Sequence, residues 1–391
     1  MNSDKEASGQ DEKPRLGVVS YNPIQYHAPL WQLVSARENV ELDVLFLSDS
    51  GISPISGSAF DVDITWDIDL LSGYAHQFLT AAGQEARAAQ RVIALAHWIA
   101  ARDVVVVNGY TSPWMLLTMA ICRVRGIPYL LRGSSHPDGR SSGIRRQVRN
   151  AVTRLVVAAS AGGLSMGTLN SGFYRQNRAR AVFFAPNSVD NERFGSPPAI
   201  SRSDQLAAAG LKDGPPVIIF SGKLIPRKRP LDLVAAVRRM RSEANVLFVG
   251  DGSLADRIRA ELPPDMAVVT GFVNQRDIPA YYHAADILVL PSEVEAWGLV
   301  VNEAMAAGVV PVVSDRVGCG PDLVADAGEI FRCGDVGDLA GALDRALARA
   351  AQPGARDLVR KHAARYSLER TAEGFERAAR AVSRTRRVRS P

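Results

Sequence analysis

The chain is poor in cysteine, poor in aromatic residues and free of long apolar runs, and each shortage removes a class of protein. Cys122, Cys319 and Cys333 form an odd set without metal-ligand spacing. No disulfide framework or zinc site is therefore expected, and a reducing compartment fits. No stretch reaches the ~18 consecutive apolar residues of a membrane span. Residues 1–14 are polar and lack the apolar core of a signal peptide, so a disordered tail and a cytoplasmic protein are expected. Aromatic residues make up 7% of the chain and do not interleave with its basic stretches, which argues against nucleic acid as a partner. The P-loop, the His-Glu-x-x-His zinc motif and the dinucleotide Gly-x-Gly-x-x-Gly with its acidic partner are all missing.

What is present is a long alternation of strand and helix patterns. With 391 residues the chain exceeds what one core usually supports, so two domains are expected. The alternation points to α/β architecture with parallel sheets. In the first half, strands are read at Leu16–Ser20, Leu42–Leu47, Val104–Asn108, Tyr129–Arg132 and Val182–Ala185. Helices are read at about Ala28–Ala36, Glu85–Ala101 and Trp114–Arg125. Proline, glycine and serine concentrate before Pro216. The expected division is a first domain over 15–190, a linker over 191–215, a second domain over 216–366, and a last helix with a basic tail over 367–391.

The net charge of +5 conceals two arginine stretches. One holds Arg140, Arg145, Arg146, Arg149 and Arg154; the other holds Arg377, Arg380, Arg384, Arg386, Arg387 and Arg389. Without these eleven the balance would be −6. Such blocks are most often solvated helix faces, and their alternative use is peripheral contact with an anionic membrane or an acidic acceptor. Leu368, Ala372, Phe375, Ala379 and Val382 recur at helical spacing, so the last helix should pack on something.

The most informative stretch is Pro291 to Gly308, where a buried strand ends, an acidic loop follows and a helix begins near Trp297. Glu295 and Glu303 lie eight positions apart across that helix start. The first turn would present the N–H groups of Gly298, Leu299 and Val300 to an anion such as a diphosphate. Glu303, one turn further in, needs a polar partner, and a ribose diol suits it. Upstream, the strand Pro216–Phe220 runs into Ser221-Gly222-Lys223-Leu224-Ile225-Pro226-Arg227-Lys228-Arg229-Pro230. Lys223 and Lys228 thus leave the carboxyl end of a strand, where open parallel sheets bind ligands. Two later strands end in Gly250-Asp251-Gly252 and in Gly271-Phe272-Val273, turns whose glycines permit close approach of a flat nucleobase. Taken singly, each of these is also compatible with an ordinary βα turn.

Read in order from about residue 216 to 345, these residues resemble the nucleotide-sugar half of glycosyltransferase family 4, the retaining enzymes of the GT-B fold. The resemblance rests on Gly-Lys-x4-Lys, Gly-Asp-Gly, Gly-Phe-Val, Ala-Ala-Asp-Ile-Leu-Val-Leu-Pro-Ser and Glu-x7-Glu. The family more often has arginine at position 223 and glycine at 229, so charge is kept at one site and added at the other. The resemblance implies two Rossmann-like domains facing a cleft, with the last helix crossing back to the first domain. It also implies a diphosphate held by Lys223 and Lys228, a donor sugar near Glu295, ribose on Glu303 and a base against the backbone around Phe272. No metal and no cofactor beyond the nucleotide-sugar co-substrate is implied.

The first half departs from the family where many members carry a glycine-rich loop after the first strand. Here the loop reads Tyr21-Asn-Pro-Ile-Gln-Tyr26-His27-Ala-Pro-Leu-Trp31, without a Gly-Gly pair. Tyr26, His27 and Asn108 are therefore candidates for the acceptor side. His136 follows the strand Tyr129–Arg132, where family members often place a histidine near the donor sugar; Ser134 is the alternative in that register.

Two motifs are decoys. Gly163-Leu-Ser165-Met-Gly167 spells a hydrolase elbow, but the later His283 and His362 fall within helical patterns. Asp61-Val-Asp63 and Asp67-Ile-Asp69 imitate the metal-binding Asp-x-Asp of another glycosyltransferase fold, yet they surround Trp66 in a long loop. The expectation is a metal-independent, retaining transferase moving a hexosyl group from a UDP-sugar by preference. Its acceptor would be a hydroxyl of a saccharide, a lipid-linked saccharide or a small molecule. The rivals are a nucleotide-sugar epimerase and a non-catalytic sugar- or lipid-binding protein on the same scaffold.

Overall fold

The computed structural model describes residues 13–50, 52, 66–79, 87–110, 112–134 and 144–389. Two parallel sheets divide the chain. The first contains β1 (Arg15–Ser20), β2 (Glu41–Phe46), β3 (Ala75–Phe78), β4 (Val104–Asn108), β5 (Tyr129–Arg132), β6 (Gly162–Ser165) and β7 (Val182–Phe184), in the order β3-β2-β1-β4-β5-β6-β7. Its helices are α1 (Ala28–Ala36), α2 (Ala88–Ala100), α3 (Pro113–Val124), α4 (Ile144–Ala159) and α5 (Thr168–Gln176). The register sets Leu16 opposite Leu42 on one side and Val104 on the other.

This sheet is buried on both faces, which explains strands such as Val104–Val107 that are continuous hydrophobic runs. Side chains alternate between faces: Leu16, Val18, Val104 and Val106 share one core with Trp31 and Val34 of α1, while Val105 and Val107 share another with Leu95, Ile99 and Met119.

Two short helices, α6 (Asn191–Gly195) and α7 (Arg202–Ala208), occupy the segment read as linker. Asp190 and Ser201 cap them by accepting from the N–H groups of Arg193 and Asp204. Their turn-rich composition is thus the composition of helix ends. Beyond them the second sheet contains β8 (Val217–Ser221), β9 (Asn245–Val249), β10 (Ala267–Val269), β11 (Ile287–Leu290), β12 (Val310–Ser314) and β13 (Glu329–Phe331), in the order β10-β9-β8-β11-β12-β13. It is flanked by α8 (Pro230–Val237), α9 (Ala255–Glu261), α10 (Ile278–Ala284), α11 (Leu299–Ala306), α12 (Val336–Ala350) and α13 (Ala355–Ala363).

In both sheets the order reverses beside the first strand, at β1/β4 and at β8/β11, so each has a switch point where loops part and leave a crevice. The last helix, α14 (Leu368–Arg389), returns to the first lobe. Its Leu368, Ala372, Phe375, Ala379 and Val382 lie in the core of the first sheet, with Phe375 edge-on to Trp31 at 5.4 Å. Glu376, nearly buried, takes a bidentate pair from Arg37 at 2.7 and 3.2 Å and a bond from Asn39 at 2.9 Å. This is the GT-B architecture of two Rossmann-like domains, with the crossing helix that the resemblance implied packed through its apolar stripe.

Candidate active site

The carboxyl ends of β8, β9 and β11 gather the residues singled out in the second half. After β8, residues 226–228 form a single 3-10 turn, and Arg229 follows in the left-handed region at φ 52°. Glycine would adopt that conformation freely. Arg229 is held there by two bonds to Asp232, at 2.7 and 3.1 Å. The turn aims Lys228 at Glu295, whose carboxylate it meets in a close ion pair; both side chains are largely buried. Lys223 sits in the same loop. Burial pushes its pKa down, and the neighbouring Arg227 and Lys228 push it further, because each resists another positive charge nearby. An anion bound here would relieve that repulsion.

Glu295 is fixed by its backbone as well. Its N–H donates to Arg316, its carbonyl accepts from Gly318 at 2.9 Å, and it bridges to Val317. Gly298 then turns the chain into α11 at φ 100°, with Leu290 and Val317 too close to admit a side chain easily. Trp297 is buried, donating its indole N–H to Asn302 at 2.9 Å. Glu303 is 2% exposed and accepts from Tyr282 at 2.6 Å, while Tyr282 also donates to Ser221 or accepts from it at 3.0 Å. Burial raises the Glu303 carboxyl to about 7, against the lowering effects of Tyr282, Tyr26 and Arg193. Its second oxygen, Oε1, has no hydrogen-bond partner.

The glycine turns divide by what approaches them. At Gly250 and Gly252 the neighbour is the chain itself: an added Cβ would lie 2.0 Å from the carbonyl of Gly222 and 2.7 Å from that of Leu224, respectively. These two glycines lock the β8 and β9 loops together. Gly271, at φ 78°, has nothing within 4 Å of its Cβ position, so open space lies beside Phe272 and Val273.

The first lobe reaches this site in four places. Tyr26, expected on the acceptor side, packs on the core of the second lobe and faces Glu303 instead. Burial and the Glu303 charge both push its phenol pKa well up. Trp66 meets Phe272 edge-on at 6.3 Å, and Asp67 accepts from the Arg276 N–H at 3.1 Å. At the start of α5, the Thr168 N–H and hydroxyl donate to Asp322 of the second lobe, the hydroxyl at 2.7 Å. Ser134 lines a narrow gap against Ala296, Trp297 and Gly318.

His27 and Asn108 do come together, 3.5 Å apart at the start of α1 and the end of β4, with Asn108 also donating to Ser20 at 3.1 Å. Burial, reinforced by Arg132, lowers His27 to about 3, so its ring is neutral. His136 lies outside the described residues, as do Asp61 and Asp63. Asp69 closes a local turn on Leu71 and Ser72, and among the described residues no group of three His, Cys, Asp or Glu could hold a metal ion. The hydrolase elbow is structural: Ser165 is buried and its hydroxyl bonds Gly167 and Ser171.

Tyr282, Arg193 and Trp66 join the site without having been singled out in sequence. Tyr282 is the second tyrosine of a helical pair, Arg193 falls in the segment read as linker, and Trp66 stood between two aspartate decoys. None carries a spacing signal.

Residues 201–365 match the glycosyl transferases group 1 family. The match covers less than half of the chain, the part that holds the second sheet. The curated relatives of the group 1 segment include the sulfoquinovosyl transferase SQD2 of Arabidopsis thaliana, 33% identical over 155 residues, covering 38% of this chain and 30% of that protein. A second is the GDP-mannose-dependent alpha-(1-6)-phosphatidylinositol monomannoside mannosyltransferase of Mycobacterium tuberculosis, 31% identical over 230 residues, covering 51% and 59%. A third is the D-inositol 3-phosphate glycosyltransferase of Saccharomonospora viridis, 35% identical over 217 residues, covering 50% and 49%. The chain thus spans from under a third to about three fifths of these relatives. Over nearly its whole length it shares its fold with Anabaena HepE, solved with UDP and glucose, at TM-score 0.68 and 13% identity, covering 95% of this chain and 99% of that one. The sucrose-phosphate synthase of Thermosynechococcus elongatus gives 0.64 and 17%, covering 96% and 99%.

Proposed function

We propose that this protein transfers a sugar from a nucleotide diphosphate donor to an acceptor hydroxyl, with retention at the anomeric carbon. The observation that carries the proposal is the ion pair of Lys228 with Glu295 at the carboxyl edge of the second sheet, in a loop where Lys223 also feels Arg227 and Lys228, together with the buried, half-satisfied Glu303. A cationic turn facing a helix start is suited to a diphosphate.

In this reading the diphosphate lies between Lys223, Lys228 and the N–H groups of Gly298, Leu299 and Val300. Lys228 has three N–H donors, so it can keep Glu295 and take a phosphate oxygen at once. The free Oε1 of Glu303 takes a ribose hydroxyl, with Tyr26 beside it. The base lies in the space at Gly271, against Phe272 and Val273, and Trp66 covers it from the first lobe. Glu295 orients sugar hydroxyls as the anomeric carbon gains positive character. The acceptor hydroxyl attacks from the leaving-group face and gives its proton to the departing phosphate. His27, Asn108 and Ser134 border the side from which the acceptor enters. Fixed cations stabilise charge growing on the leaving group, the logic of an oxyanion hole.

UDP-sugars are the first donors to test, followed by GDP-mannose, which two mycobacterial-type relatives use by name. The test is thermal stabilisation by UDP, GDP and their sugars, with and without EDTA, followed by turnover with acceptor present and absent. Product that requires acceptor supports transfer; epimerised sugar without acceptor, or no nucleotide response, overturns it. Lys228→Ala should lower turnover by about a hundredfold, as loss of an oxyanion donor does, with the unfolding midpoint unchanged. Unaltered turnover would remove the cationic turn from the mechanism.

A further inference from the structure

One cavity lies away from the cleft. It encloses about 680 Å³ at the amino ends of β5, β6 and β7, the opposite edge of the first sheet from its switch point, and is bordered by α3, α4 and α14. That volume is within the ordinary range of small-molecule sites. The lining is two-natured. Ile127, Pro128, Tyr129, Ala159, Phe183 and Val382 supply apolar wall, whereas Arg123, Arg125 and Arg180 stand exposed around it, and none of the described lining residues is an aspartate or glutamate. The guanidinium groups of Arg123 and Arg180 are near enough to Tyr129 to lower its phenol pKa against the raising effect of burial.

Helix α4 continues the apolar wall outward. Val148, Val152 and Leu155, 57%, 48% and 71% exposed, fall with Ala159 at helical spacing on one face. That stripe therefore runs along the helix surface and ends in the cavity. Exposed apolar side chains in a contiguous track mark a binding surface more often than chance exposure does.

We propose that this cavity is a binding site for an anionic amphiphile, with an alkyl chain along the Ile127–Phe183 wall and the α4 stripe, and a phosphate or carboxylate head on Arg123, Arg125 and Arg180. The site is independent of the donor cleft. An apolar body and a cationic rim without competing carboxylates select against neutral alkanes on one side and against free phosphate on the other.

The probes are decyl phosphate below its micelle concentration, n-decanol and inorganic phosphate, read by thermal unfolding and calorimetric titration of the full chain. Decyl phosphate alone should raise the midpoint and bind with a single-site isotherm. Arg123→Ser with Arg180→Ser should raise its Kd at least tenfold while the response to UDP is unchanged. Ala381→Trp, at an exposed rim position, should block binding without removing charge. Equal stabilisation by decanol, full stabilisation by inorganic phosphate, absence of any binding, or unaltered affinity in both variants would each overturn the assignment. Anionic vesicles added to the panel separate the sources: binding by vesicles as well as monomer identifies lipid, and binding by monomer alone identifies a free amphiphile.

Discussion

Glu303 is a carboxyl group held where ionisation is costly. Its folded pKa of about 7 lies above the ordinary 4.5, so the folded chain keeps a proton that the unfolded chain releases between those values. Stability from this residue is therefore complete below about pH 4.5 and declines as pH rises toward 7 and beyond. Glu303→Gln should flatten that decline, giving a gain of about 3 kcal/mol at pH 8 relative to the parent, measured by urea unfolding across pH. Parallel pH curves for parent and variant would disprove the buried, partly protonated carboxyl. Much of this site was legible beforehand: Glu295, Glu303, Lys223 and Lys228 stood in a fixed order, and the structure brings Lys228 to Glu295. Tyr282 and Arg193 were not legible, because a tyrosine within a helix and an arginine near a turn acquire meaning only from what folds against them. Gly250 and Gly252 were legible as tight turns, but their neighbour is the adjacent loop, a contact between segments far apart in sequence.

At the scale of elements, the start of α5 is the clearest joint between the lobes. Gly167 has extended backbone, so its dihedrals suit any residue, but an added Cβ would lie 2.5 Å from both Trp297 and Asp322. Gly167→Ala should push this joint apart while leaving each core intact. The expected result is a larger radius of gyration by solution scattering and a nucleotide affinity weakened about tenfold, with circular dichroism unchanged. An unchanged radius would show that the joint does not set lobe spacing. Strands flanked by strong turn signals were readable from pattern, as β1, β4, β5 and β9 show. Strands β3 and β6 were not, since Ala-His-Gln-Phe and Gly-Gly-Leu-Ser have little β-propensity and become strands by pairing with neighbours already in place.

The whole molecule is tied by α14. Glu376 is the polar anchor of that helix on Arg37 and Asn39, nearly buried among apolar residues. Glu376→Ala leaves a guanidinium without its partner, and should cost about 3 kcal/mol, seen in calorimetry as a lower midpoint for the first lobe. A single unshifted transition would contradict the assignment of α14 to that core. Arg132 completes the same seam, donating to the carbonyls of Ala185 and Pro186 where the chain leaves the first lobe. The connection passes between the lobes twice, and Val189 pairs with Ser367 at the crossing. On a ribosome this has an unusual consequence. The lobe whose synthesis starts first lacks one wall until the residues after Leu368 emerge, whereas every strand of the second sheet has been made by then. The second lobe can finish folding first, and the first must wait, partly open, for α14 to emerge after it.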